Sequence, residues 1–439
     1  MAKRELLQTE YLIIGNSAGG IGAAEAIRCI DKKGSITIVS EEQYPAYSRP
    51  LISKYLTNER ILEEILFRPP DYYSQNDINL LMGTKVNRLV LNDSIAQLQN
   101  DNQISWQKLL LATGGMPIIP SIDGLDKKGV FGFLTIKDAD EIAAFIKPGQ
   151  HAVVIGGGLI GISVTEALKK LELDVTIIEL KDNLLNTILD QEGSSIVENV
   201  LKKVGIKILV NSTVSAIIGD KAVEGVVLNT GESIPCDMVI IAIGVVPRIE
   251  LALNTEIETN RGIIVDRYMA TSFPNIYACG DAVESYDFVS DSNRVIPIWP
   301  NAYIGGMQAG YNMAGVRTQY PGGTAMNSLN YFGLDIATAG VVVTTDESKF
   351  EIISKHNNGV YKKLVLNGDY INGMVFIGDI EKSGMIFGLM RDRVNVNNFK
   401  QELLSDYFGL AYLPKQLWQE RLGIAQVSTT AIYGYASKI

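Results

Sequence analysis

Two segments of this chain are built to one plan, and that repetition limits what the rest can fold into. Tyr11 to Ile14 is an apolar run that opens into Gly15-Asn16-Ser17-Ala18-Gly19-Gly20. Alanine-rich helical spacing follows over 21–30, then a β-branched run over 35–40. The plan returns at His151, with a strand over 152–155, the turn Gly156-Gly157-Gly158-Leu159-Ile160-Gly161, a helix over 163–171 and a strand over 174–178. Strand, glycine turn, helix and strand make a βαβ unit, so the spacing predicts two nucleotide-binding units and no solenoid.

The glycines explain what such turns hold. A dinucleotide pyrophosphate needs backbone N–H donors at a helix start, approached without side-chain obstruction. Gly156, Gly158 and Gly161 meet that demand, with Leu159 and Ile160 opening the helix, and Glu179 follows at the end of the next strand. A carboxylate there accepts from a ribose 2′-hydroxyl and repels a 2′-phosphate, which favours NADH over NADPH, although Lys181 stands two residues away. The first turn departs from this pattern. Gly15, Ser17 and Gly20 put serine at the central glycine, where its small hydroxyl can donate to a phosphate oxygen beside Ala18. Glu41 or Glu42 supplies the ribose acid there, Glu41 lying nearer the strand end.

Each unit closes on an apolar strand and a small-residue turn: 109–115, containing Ala112-Thr113-Gly114, and 238–247, containing Gly244. A third such segment, 275–282, returns the chain to the first unit. The expected fold class is therefore α/β, with two Rossmann-like domains, the second inserted in the first, and a C-terminal α+β domain. The boundaries expected are 1–118 and 247–326 for the first domain, 119–246 for the inserted one, and 327–439 for a packing and dimerising domain. In the last, runs at 362–366 and 371–377 flank the hairpin signal Asn367-Gly368. The last thirty residues carry no readable pattern.

With 439 residues, several cores are expected. A net charge of −10 disfavours nucleic acid and anionic membranes. The polar start and short apolar runs predict neither a leader nor a membrane span. Cys29, Cys236 and Cys279 form no CxxC pair, which points to a cytoplasmic protein without disulfides or a cysteine metal site. His151, before a strand, and His356, in a polar turn, read as surface residues.

Further motifs occur in order: Pro45-Ala46-Tyr47-Ser48-Arg49-Pro50-Leu51-Ile52-Ser53-Lys54, Ala112-Thr113-Gly114, Ala278-Cys279-Gly280-Asp281, Trp299-Pro300-Asn301-Ala302, and 310–315. As a set they resemble the FAD-dependent pyridine-nucleotide oxidoreductases, the branch with rubredoxin and ferredoxin reductases and nitrite-reductase flavin domains. That resemblance implies FAD bound non-covalently in the first unit, NAD(H) in the inserted one, and a homodimer. It assigns Glu41 to the adenosine ribose, Arg49 and Lys54 to the flavin region, Asp281 to the ribityl chain and Trp299 to the ring, with Lys54 as the catalytic cation. Many relatives carry glutamate where Ser163 stands; without it Lys54 should favour reduced flavin more strongly. No thiol pair or cysteine lies near Lys54, so disulfide reduction and cysteine-dependent peroxidase chemistry are not expected.

The resemblance thus implies hydride transfer between NADH and FAD, with single electrons exchanged with an iron–sulfur carrier such as a ferredoxin or rubredoxin. The segments 15–19 and 44–50 are also similar to flavoproteins accompanying carbon monoxide dehydrogenase. Two alternatives share the fold: an NADH oxidase reducing dioxygen, and a non-catalytic dinucleotide-sensing flavoprotein.

Overall fold

A computed structural model describes residues 6–344 and 348–413. The chain divides into two compact units, one of residues up to Met326 with Asn330–Leu334, the other of Asn327–Leu329 and Asp335 onward.

The first unit opens with β1 (Leu6–Ile14), α1 (Ala18–Ile30), β2 (Ile36–Val39), α2 (Ile52–Leu56), β3 (Ile78–Leu81) and β4 (Gln103–Leu111). These strands lie in the order β3-β2-β1-β4, all parallel, extended beyond β4 by antiparallel strands Ile95–Leu98 and Val86–Val90. All four residues of β2 are buried, because a parallel sheet is covered on both faces and its strands become continuous apolar runs.

The chain then passes through β5 (Gly115–Pro117), α3 (Ile136–Phe145), β6 (His151–Ile155), α4 (Leu159–Lys170), β7 (Asp174–Ile178), β8 (Lys207–Leu209), β9 (Met238–Ile241) and β10 (Val245–Pro247). A second parallel sheet has the order β8-β7-β6-β9, edged by Val130–Phe131. Afterwards β11 (Ile276–Ala278) pairs in parallel with the end of β4, Ile276 opposite Leu109, and α5 (Trp299–Met313) follows. The chain thus re-enters the first sheet after building the second. Where β5 leaves one sheet and β10 leaves the other, the two strands pair antiparallel, Val245 opposite Pro117 and Pro247 opposite Gly115.

From Met326 onward a sheet combines β12 (Met326–Tyr331), β13 (Leu334–Gly340), β14 (Glu351–Asn357), β15 (Val360–Asn367) and β16 (Tyr370–Ile377) in the order β12-β13-β16-β15-β14, followed by α6 (Ser383–Arg391). The hairpin falls at the expected place, Gly368 taking φ +59°. His356 is a correction: it lies within strand β14, opposite Tyr361, where β15 supplies a pairing partner that local polarity did not reveal. The helix expected over 163–171 begins earlier, at Leu159, because the glycine turn leads straight into it. Of the last thirty residues, 414–439 lie outside the described residues.

Candidate dinucleotide sites

Both glycine turns sit where a parallel sheet splits its direction: β1 continues to β2 on one side and adjoins β4 on the other, and β6 stands likewise between β7 and β9. Ligands in such sheets bind outside the carboxyl ends of the strands at that point. The two turns also share their hydrogen bonds. Gly15 N–H donates to Val39 at 2.9 Å and Gly156 N–H to Ile178 at 2.8 Å, while Ala112 N–H donates to Ile14 and Ala242 N–H to Ile155.

Glycine is required here by contact. A Cβ on Gly20 would stand 2.0 Å from the Gly15 carbonyl oxygen, and one on Gly161 1.9 Å from that of Gly156. Gly15 and Gly156 themselves take φ of +120° and +108°. The central position differs: a Cβ on Gly158 meets nothing within 4 Å. The corresponding position in the first turn is Ser17, which is the N-cap of α1 without a side-chain capping bond. Ser17 is half-buried, and its small side chain suits a position whose counterpart, Gly158, faces open space.

Two helices therefore present unpaired N-terminal N–H groups toward these openings, and neither has an acidic residue in its first turn. That fits an anionic pyrophosphate at each. Ala18 begins α1, and Leu159 and Ile160 begin α4.

The acids beside the turns are arranged differently. Glu179 is buried, its carboxylate accepting from Gly157 N–H at 2.7 Å and from Lys181 N–H at 2.8 Å. Its own N–H donates to Leu209, and in the first sheet the matching bond runs from Ser40 to Leu81. Serine thus occupies the place that glutamate holds in the second. Glu41, one residue on, is half-exposed and paired with Arg248 at 2.8 Å and Lys85 at 3.5 Å. Glu42 turns the other way, accepting from Arg49 and, at 2.5 Å, from the Tyr47 hydroxyl.

Arg49 also donates to the Leu134 carbonyl at 2.9 Å and faces Asp281 electrostatically. Burial pushes the Asp281 carboxyl up to about 6, with Arg49 opposing the rise. A part-buried carboxyl facing one cation suits the hydroxyls of a polyol. Asp281 lies on the turn after β11; a Cβ on Gly280 would meet Ala302 of α5 at 3.3 Å, so α5 abuts this turn. Trp299 opens α5 and packs edge-on against Phe67 with centroids 5.3 Å apart.

Lys54 is exposed on α2. Its helix is held on both flanks: Tyr55 and Tyr44 donate to Asp140 of α3 at 2.8 and 3.0 Å, and Glu59 accepts from Lys170 of α4 at 2.8 Å. Ser163 is half-buried on α4, which packs against α2. Thr113 and Gly114 bind the chain returning from the second sheet: Thr113 Oγ1 donates to the Arg248 carbonyl at 2.7 Å, and Arg248 N–H to Gly114 at 2.9 Å. At the other cradle Ile118 N–H donates to Gly244 at 3.0 Å.

Burial raises the Cys279 thiol to about 12, and its sulfur lies where a Cβ on Gly19 would come within 2.7 Å. It is a packing residue beneath the first turn. Sequence reasoning missed Asp140 and Arg248, since their partners lie far away in the chain: Tyr44 and Tyr55 for Asp140, Glu41 for Arg248. The equal spacing of Gly114 to Ile118 and Gly244 to Arg248 was the one available signal. Among the described residues, no cluster of three or more His, Cys, Asp or Glu gathers to hold a metal, and no helix is long and apolar enough to cross a membrane.

Two Rossmann-like cradles followed by a C-terminal unit define the class of two-dinucleotide proteins. The chain belongs to the pyridine nucleotide-disulphide oxidoreductase family, whose profile matches residues 9–306; the rubredoxin NAD+ reductase C-terminal domain matches 326–394. Nitrite reductase (NAD(P)H) of Bacillus subtilis is 33% identical over 90% of this chain and 48% of its own length. The NADH oxidase of Methanocaldococcus jannaschii is 35% identical over 70% of this chain and 71% of its own. The solved NADH:rubredoxin oxidoreductase from Clostridium acetobutylicum superposes with a TM-score of 0.74 at 26% identity, covering 90% of this chain and 97% of that one. The chain spans about half the length of the nitrite reductase it matches. The family's cofactors, FAD and NAD(H), fit the two cradles described.

Proposed function

We propose that this chain holds FAD in the first cradle and binds NADH in the second, and that it exchanges single electrons with a separate iron–sulfur carrier protein. The observation that carries this reading is the β5–β10 ribbon, which joins the carboxyl ends of the two sheets and so brings both nucleotide openings to one region. FAD supplies the conversion between a hydride pair and single electrons. The protein's own part is positioning. Gly15, Ser17, Ala18 and Gly20 present donors to the FAD pyrophosphate, with Ala112, Thr113 and Gly114 closing the far side. Arg49 and Asp281 orient the flavin-bearing half, Trp299 borders it, and Lys54 supplies a positive charge near the ring. Glu41 takes the adenosine ribose of FAD. On the NAD side Gly156, Gly158, Leu159, Ile160 and Gly161 hold the pyrophosphate, Gly244 lines the opposite wall, and Glu179 takes the ribose.

The reading includes the domain boundaries 1–118, 119–246, 247–326 and 327–439, and a cytoplasmic homodimer. The three unpaired thiols suit a reducing compartment. A functional link to carbon monoxide dehydrogenase rests on the segments 15–19 and 44–50 alone. Either direction of electron flow is compatible with this arrangement.

The test is anaerobic mixing of the purified, FAD-bearing protein with NADH, then with rubredoxin or ferredoxin. Bleaching of the flavin by NADH, faster than by NADPH, and its recovery on adding the carrier are expected. Protein that keeps no FAD after supplementation overturns the reading. A second reading, NADH oxidation by dioxygen, draws on the 35% identity to the Methanocaldococcus jannaschii enzyme. Sustained aerobic turnover without any carrier would favour it.

A further inference from the structure

The ribbon between the two sheets is arranged with pseudo-twofold logic. β5 leaves the first cradle at Gly114, and four residues later Ile118 N–H bonds to Gly244 of the second cradle. β10 leaves the second cradle at Gly244, and four residues later Arg248 N–H bonds to Gly114 of the first. Each link therefore sets one residue at the mouth of the opposite cradle. At the second cradle that residue is an isoleucine; at the first it is an arginine.

Arg248 is fixed by its backbone at the end of β4, through Gly114 and Thr113. Its guanidinium is paired with Glu41, just beyond the end of β2, at 2.8 Å. Since β1 lies between β2 and β4, the side chain crosses in front of the Gly15 turn. Two strand spacings are about 10 Å, a span that an arginine and a glutamate reaching toward each other can bridge. Both partners are part-exposed, 39% and 48%, so the pair lies at the opening and not in the core.

We propose that Arg248 is a strap over the adenosine diphosphate half of FAD: closed through Glu41 it retains the cofactor, and FAD leaves only when the strap swings out. A planar guanidinium is suited to the pyrophosphate, which it can meet with two parallel hydrogen bonds. The second cradle has no equivalent. Ile118 cannot pair with a carboxylate, and Glu179 is turned inward onto Gly157 N–H. Leu180 and Ile243 at that cradle are exposed, 61% and 36%. One nucleotide is thus strapped in and the other is free to exchange, as a resident cofactor and a passing cosubstrate require. This inference rests on the proposal that FAD occupies the first cradle.

The experiment measures FAD release from the holoprotein on dilution into a flavin trap, by the rise in flavin fluorescence, with NADH affinity followed by calorimetry. Arg248→Met should release FAD at least about tenfold faster, the scale of a lost charge-assisted contact. Arg248→Lys, which keeps the charge and loses the fork, should lie between. NADH affinity should stay within about twofold in both, as the strap does not touch that cradle. Release within about twofold of wild type in the Met variant overturns the strap; should that variant not fold, an unchanged rate in the Lys variant does so. A parallel loss of NADH affinity also overturns it, marking general damage. Wild-type protein that holds no FAD at all instead overturns the assignment of the first cradle.

Discussion

Gly306 of α5 lies in backbone contact with Gly19 of α1: a Cβ on Gly306 would stand 2.0 Å from the Gly19 carbonyl oxygen. The same crossing is close at Gly310 against Ala23 and at Gly22 against Tyr303, with 2.4 and 2.5 Å to the respective carbonyl oxygens. Because α1 begins at the first cradle, this contact sets where its N–H groups point.

Gly306→Ala must therefore push two helix backbones apart. It should destabilise the protein by about 2 kcal/mol or more, as overpacking does, and weaken FAD retention with it. Gly384→Ala is the control. That glycine is exposed on α6 with open space where a Cβ would go, so the gain in helix propensity makes the change neutral or stabilising by up to about 1 kcal/mol. Urea midpoints of the two variants check both signs.

Asp281 makes a pH prediction. Its folded carboxyl is raised to about 6 by burial, from an ordinary value of 3.8. Between those values the unfolded chain has lost the proton while the folded chain keeps it, so stability falls as pH rises through that window. The contribution is on the order of 2–3 kcal/mol. Denaturant titrations of flavin-stripped protein across this range should show that slope, and Asp281→Asn should flatten it. An equal slope in the variant would assign it to other groups.

The thiols should separate cleanly. Cys29 is exposed, whereas Cys236 and Cys279 are buried and both raised to about 12. One thiol per folded chain should react quickly with a disulfide reagent near pH 8, and three after unfolding. Loss of flavin reduction when only that one thiol is blocked would contradict a thiol-independent mechanism.

Ser163→Glu should lower the flavin reduction potential. It adds a carboxylate on α4, the helix packed against the α2 that carries Lys54, and so offsets the cation expected to favour reduced flavin. A shift of some tens of millivolts is expected, since about 30 mV corresponds to 1.4 kcal/mol for a two-electron couple. A redox titration giving an unchanged or higher potential refutes it.

The cradles were legible in the sequence because local contact dictates them. Gly20 and Gly161 have no substitute when the carbonyls of Gly15 and Gly156 stand in the way. Ser17 could be read as tolerable, and the open space at Gly158 gives the reason. The hairpin at Gly368 was legible for the same local cause. What escaped depends on residues distant in sequence. His356 looked like turn because its polarity is that of an edge strand exposed on both faces. Arg248 drew no reading from the sequence; its meaning comes from Gly114 and Glu41, which only the folded ribbon brings to it. The choice between Glu41 and Glu42 was open for that reason too, since Arg49 and Arg248 draw the two side chains apart.

The exchange of strands between the cradles has a consequence for anyone recombining such proteins. A nucleotide fold grafted from a relative at the point where its sequence begins and ends would arrive with its own outgoing segment and would therefore rewrite the mouth of its host's other site. Chimaeras cut outside both Ile118 and Arg248 should inherit cofactor retention from the donor, and those cut inside both should keep the recipient's.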